Sequence, residues 1–357
     1  MLPDFSLHCD GRGSCCRIYG SVIFGPVEAA RARSLLPLLL DGGARHERVF
    51  TPERGGGPTG GAAVTLCDGR CAYLGDAGRC ALHEAGGAAA KPLGCSLFPA
   101  SFIDDGERVR VSVSVECACV LRSRGRTGGA PLAPPDARVR GDLDEGVFVA
   151  TLPLEVRVTR ETRASRAELR AFMGLLKALP APADLAAALW SLGGALDERG
   201  LSPDALGGFT HPRAIAPSAM SPWIEALYRR ASRREREDAA WRSERDLARR
   251  ATGWIAEAAG ALLEPAALAA FLASPAPDAG GEALYLRAAL HGYALVGELP
   301  LADALRDRAT RIVVSRALRA VFAVTRPDDE ACEEPLALVE AMLRGHGLAA
   351  YARDLAG

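Results

Sequence analysis

The chemistry available to this chain lies mainly in ten cysteines. Cys9, Cys15, Cys16, Cys67, Cys71, Cys80, Cys95, Cys117 and Cys119 fall in the first third of 357 residues, and only Cys332 lies beyond. The stretch HCDGRGSCC holds three of them, with Cys15 and Cys16 adjacent. Neighbouring cysteines rarely bond to each other; they point to different partners or to one shared metal. Disulfide-dense domains are usually small, secreted and led by a signal peptide. The opening MLPDFSLHCD has neither a basic n-region nor an apolar h-region, and the chain is long enough to bury a core without staples. Reduced thiols in a cytoplasmic protein are therefore expected, and clustered thiols in such a compartment bind metal or do catalysis.

The spacings suit ligands that converge from separate tight loops. Cys67 and Cys71 flank the turn signal Asp68-Gly69. Cys71 and Cys80 flank a second turn, Gly75 to Gly78, and Cys95 lies between Pro92 and Pro99. Several named sites are excluded. Leu74 stands where a radical-SAM motif needs its third cysteine, and neither the bacterial ferredoxin run nor a paired C-x2-C zinc ribbon is present. Neither Lys91 nor Lys177 ends a Walker A motif. His8 and His83 neighbour Cys9 and Cys80, and each reads as a residue supporting the ligands or as a surface residue before it reads as a ligand. Cys332, among acidic neighbours, reads as structural. No acid–base pair or activated nucleophile is visible.

These residues resemble the YkgJ-type cysteine-cluster family, whose domains are described as zinc- or iron-chelating. Cys9, Gly13, Cys15 and Cys16 match its opening; Cys71-Ala-Tyr-Leu74, Cys80-Ala-Leu-His83 and Pro92-Leu-Gly-Cys95-Ser-Leu-Phe98-Pro99 match its next three elements in order; Cys117 or Cys119 supplies its late cysteine. The likeness covers residues 5 to about 120. Arg12 departs from it by replacing a second opening cysteine, and Lys91 replaces an arginine. An extra thiol, Cys67, suggests compensation: its sulfur is expected within about 4 Å of another ligand sulfur among Cys9, Cys15 and Cys16. The resemblance implies a metal-binding protein. An iron–sulfur cluster is favoured over zinc, because nine thiols exceed the four that one tetrahedral zinc takes. The layout is also similar to that of flagellin lysine-N-methylases, which implies a second reading: a protein lysine N-methyltransferase using S-adenosylmethionine. A third is a zinc-stapled structural protein whose helical half binds a protein partner.

The elements that must hold these thiols divide by composition. The expected fold is α+β. Residues 1–122 form a small, irregular cysteine-rich module with few short strands, residues 123–164 a linker with short strands, and residues 165–357 a mostly α-helical region. Tyr19–Gly25 reads as a strand and Pro26–Leu40 as a helix. Val109–Glu116 alternates as a half-buried strand that delivers Cys117 and Cys119 to one side of an extended chain. A helix capped by Ser165 follows, then one after Pro182, then a long arginine-rich helix from Pro222 to Arg250. Further helices are expected at 265–273, 281–296, 300–323 and 333–346. In Tyr228–Arg250 the interleaved acids make a solvated helix a better reading than a nucleic-acid surface, and Trp223, Trp241 and Trp254 read as core anchors. The net charge of −1 also argues against nucleic acid. No apolar run reaches the roughly 20 residues of a membrane span; Gly253–Ser274 is interrupted by Glu257, Glu264 and Pro265.

Overall fold

Short strands, turns and short helices build the first third of the chain and longer helices dominate the rest, giving the α+β architecture expected. In the structure, a computed structural model, the described residues are 2–9, 11, 13–18, 22–35, 50–52, 62–64, 66–67, 70–130, 132, 147–240, 242–274, 279–325, 327 and 333–343. Expectations for Arg12, Trp241, Cys332 and most of the 123–142 linker lie outside them.

The cysteine-rich part runs α1 Ser14–Ile18, β1 Ile23–Phe24, α2 Pro26–Ser34, β2 Phe50–Pro52, β3 Ala62–Val64, β4 Leu66–Cys67, β5 Arg70–Cys71, α3 Ala81–Gly86, α4 Leu93–Leu97, β6 Ala100–Asp104, β7 Val109–Val113 and α5 Ala118–Arg122. Helix α2 opens on Pro26, whose missing N–H costs nothing in a first turn, and the Glu28 carboxylate accepts from the Gly25 and Leu93 amides. Strands β4 and β5 pair Leu66 with Cys71 and Cys67 with Arg70, so the Asp68-Gly69 signal does separate two paired strands. A three-stranded sheet in the order β7-β6-β8 is completed by Val149–Thr151 (β8), which lies parallel to β6. The polar face expected on β7 is covered: Ser112 is buried and donates to the Ala288 carbonyl at 2.8 Å.

A second hairpin, β9 Glu155–Arg157 with β10 Arg163–Ser165, leads into α6 Arg166–Ala178. The expected cap forms in full: Ser165 accepts from the Glu168 amide, and Glu168 accepts from the Ser165 amide. The remaining helices are α7 Leu185–Arg199, α8 Gly207–Thr210, α9 Pro217–Ala239, α10 Leu247–Ala261, α11 Pro265–Ala273, α12 Ala279–His291, α13 Leu301–Thr325 and α14 Pro335–Leu343. The arginine-rich stretch differs from expectation. It ends at Ala239 and restarts at Leu247, where the Asp246 carboxylate caps the new helix by accepting from Ala248 and Arg249. Arg242 in the break is clamped by Asp238 and Asp246, at 3.1 and 2.7 Å. Arg230 and Arg234 donate to the Leu343 and Met342 carbonyls that end α14. These arginines therefore hold helices together rather than line a solvated face.

One hydrophobic interior spans both parts of the chain. Ile18 of α1 and Ala118 and Leu121 of α5 are buried in the same cluster as Leu189, Leu192, Ile255 and Val314 of the helical half. Leu284 and Ala288 of α12 pack with Phe102, Val111 and Val113 of the sheet. Trp223 is buried and meets Trp190 edge-on, and Trp254 meets Phe322 likewise. Among the described residues no single helix is long and apolar enough to cross a membrane; α10 and α11 reach that length and apolarity only as a pair, which is bent by 96°.

Candidate metal centre

Six segments carry the thiols towards one region. Cys9 follows a short bridge in which Leu7 pairs with Ala130. Cys15 and Cys16 lie in the first turn of α1. Cys71 ends β5, and Cys80 is the residue before α3, in a bridge with Leu74. Cys95 lies within α4. Cys117 and Cys119 differ from the extended arrangement expected: Cys117 is the cap of α5 and Cys119 lies in its first turn. With Cys117 at the extended cap position, its thiol still reaches that of Cys119 in the first turn.

The closest grouping is Cys9, Cys119, Cys117, Cys15 and Cys16. The Cys9 and Cys117 thiols both hydrogen-bond with Cys119, and the Cys15 and Cys16 sulfurs are 4.0 Å apart. Cys15 also interacts electrostatically with Cys119. Cys95 interacts with Cys80 and with Cys15, which ties the second grouping to the first. Cys71 and Cys80 flank the buried Tyr73. None of the eight cysteines whose side chains are described is in a disulfide. Cys117 and Cys119 are buried and Cys9 is exposed.

Thiol–thiol hydrogen bonding first, and burial second, push the Cys9, Cys15 and Cys117 thiols well above the ordinary cysteine range. Burial pushes Cys95 up to about 12. Without a cation these sulfurs hold their protons, since thiolates so close would repel one another in a poorly solvated place. Among the described residues, no three His, Cys, Asp or Glu side chains stand in an arrangement that closes on a single ion. The thiols meet in pairs and chains instead. The Cys67 side chain lies outside the described residues, so the expected contact of its sulfur lies there too; its backbone pairs with that of Arg70, the residue before Cys71.

Two residues set this convergence. The buried Ser123 hydroxyl donates to the Cys119 carbonyl at 2.6 Å and accepts from the His8 amide at 2.8 Å, which fixes Cys9 beside Cys119. No sequence pattern marks Ser123. Gly13 has φ +70°, and a Cβ there would lie 2.7 Å from Leu74 Cδ1 and 2.8 Å from the Gly78 carbonyl oxygen. It lets the Cys15–Cys16 loop rest on the turn between Cys71 and Cys80. Gly13→Ala is expected to cost about 2–4 kcal/mol, from left-handed backbone strain and overpacking together. A denaturant titration checks this, and a loss below about 0.5 kcal/mol would show the loop yielding freely. His83 is exposed, whereas His8 Nε2 is buried with no hydrogen-bond partner.

Compared with family models, curated proteins and solved structures, the chain matches none of them.

Proposed function

We propose that this chain is a metal-binding protein of the YkgJ cysteine-cluster type, acting in a reducing compartment, and that its thiols hold an iron–sulfur cluster in preference to zinc. The observation that carries this reading is the chain of contacting thiols Cys9–Cys119–Cys117, with the Cys15–Cys16 pair beside it. Five sulfurs from three separate segments have no structural need to meet in a protein with an ample apolar core. A soft, cationic group gives them one.

Thiols are the donors such a group takes; among the described residues they meet in pairs and chains and no three close on a single ion, so binding would have to draw them together. Cys9, Cys15, Cys16, Cys117 and Cys119 would supply its thiolates, with Cys71, Cys80 and Cys95 forming the adjoining wall. When bound, the group supplies either electron transfer or a structural cross-link, depending on whether it is a cluster or zinc. The protein's own part is to gather the sulfurs, exclude water through Val120 and Leu121, both buried, and orient Cys9 and Cys119 through Ser123.

Anaerobic purification followed by iron, zinc and acid-labile sulfide analysis tests the proposal. Iron with sulfide and broad visible absorption is the expected result. Zinc with no sulfide keeps the metal-binding reading and replaces the cluster by a zinc staple. Protein that retains neither metal after growth in iron- and zinc-supplemented medium overturns it.

A further inference from the structure

A different cluster of charged side chains lies where the β6–β7 turn meets α6 and the end of α12. Only two lysines occur in the chain, Lys91 and Lys177. Lys177, near the end of α6, is half-buried, and its ammonium sits over the Tyr293 ring, 5.1 Å from the centroid. The Arg110 guanidinium lies 5.4 Å from the same centroid. Tyr293 is buried and its backbone is left-handed, with φ +50°, a conformation that a bulky residue adopts only when its surroundings enforce it. The ring is thus a fixed platform for two cations.

Their charge is poorly balanced. Asp105 is the nearby carboxylate, but it is fully buried and already occupied: it accepts from the Glu107 and Arg108 amides, at 3.0 Å each, and pairs with Arg110. Arg170 is engaged by Glu107 and by the Asp105 carbonyl. Lys177 is left with the tyrosine face, with Arg108 and Arg110 as cationic neighbours, and without an ion pair or hydrogen bond to a described residue. His291, close enough to feel the Lys177 charge, has its Nε2 buried without a partner.

We propose that Lys177 is a reactive amine that condenses with a small aldehyde or keto acid bearing an anionic group, the anion being held by the surrounding cations. The neutral Nζ lone pair attacks the carbonyl carbon, and the C=O π pair moves to oxygen, which takes up a proton. The carbinolamine then loses that oxygen as water, and the C=N bond of an imine forms; one water leaves overall. No oxidant or reductant is required. Burial, with repulsion from Arg110 and Arg108, lowers the Lys177 ammonium to about 8, while Asp105 opposes the shift. Burial first, then the charges of Lys177 and the N-terminal amine, and after them Arg110 and Arg108, push His291 down to about 4, so it adds no positive charge near neutral pH. A lowered amine pKa places the nucleophilic form within the neutral range.

The full-length protein carries its own reference in Lys91. Glyoxylate with cyanoborohydride at pH 8, followed by peptide mass mapping, reads the trapped imine as a carboxymethyl adduct. The expected result is labelling of Lys177 about tenfold or more faster than Lys91. The advantage should shrink above about pH 10.5, where an ordinary lysine also loses its proton. It should be smaller with acetaldehyde, which carries no anion. Lys177→Arg should remove the fast site and leave labelling of Lys91 unchanged. Equal rates at the two lysines with glyoxylate at pH 8 would overturn the proposal. A preference no greater for glyoxylate than for acetaldehyde would overturn the anion-binding part.

Discussion

Glu340→Ala is expected to destabilise the protein by about 3–5 kcal/mol, the largest effect of any single side chain outside the thiols. Glu340 is buried where α12, α13 and α14 meet. Its Oε1 accepts from the Tyr285 hydroxyl at 2.9 Å, and its Oε2 accepts from Arg308 and, at 3.1 Å, from Arg311. Arg311 also pairs with the buried Asp307 at 2.8 Å. Removing the carboxylate leaves two guanidinium groups to share the one remaining acid, and an uncompensated buried charge costs more than the lost contact. Glu340→Gln keeps the shape but not the charge and should lose nearly as much. Burial opposes ionisation of Glu340, yet Arg308 and Arg311 hold its carboxyl below the usual range. A carboxyl depressed on folding contributes stability above its unfolded pKa of about 4.3, and that stability fades as pH falls through the folded value. The gap between wild type and Glu340→Gln should therefore narrow in acid. Urea titrations at neutral pH and in mild acid measure both quantities. A loss below about 1 kcal/mol at neutral pH would show that the arginines find other partners.

Cys119→Ser should weaken metal retention by at least about tenfold, because even outer-shell partners of metal ligands cost 10–100-fold when removed. Cys119 is the thiol that touches both Cys9 and Cys117, so its loss separates two further donors. Binding energy at such a site is also folding energy, so the same variant should unfold at lower denaturant when loaded. Metal analysis after exhaustive dialysis, with Cys332→Ser as the control that keeps its full content, makes the comparison. Equal retention by the two variants would place the metal away from α5 or remove it from the account.

The helical half was readable because its signals are local. Ser165 and Glu168 spell a capping box, Pro265 starts a helix at its first turn, and apolar residues recur at helical spacing in α6. The break between α9 and α10 was not readable. Charges four apart support a continuous helix, but Arg242 satisfies Asp238 and Asp246 equally well across a bend. The thiols were identifiable one segment at a time from turn signals and spacing. Their meeting depends on contacts that have no local signature: the Ser123 hydroxyl reaching His8, and Gly13 resting on the Leu74–Gly78 turn. The extended reading of Cys117 and Cys119 failed because Cys117 caps a helix, a role for which cysteine carries no propensity. The charged group around Lys177 was invisible for the same reason, since it joins a hairpin turn, one helix and the end of another.

The Ser123–His8 hydrogen bond spans 115 residues of chain. Closing so long a loop carries an entropic cost that grows with its length, by about 0.6 kcal/mol for each doubling. Contacts within α5 and within the β6–β7 hairpin join close neighbours and can form early, whereas the first nine residues gain nothing by docking until those partners stand in place. The amino-terminal segment is thus the last strap to be fastened. Cys9 therefore reaches Cys119 only once α5 has formed, so the contact between these two thiols is made late in folding.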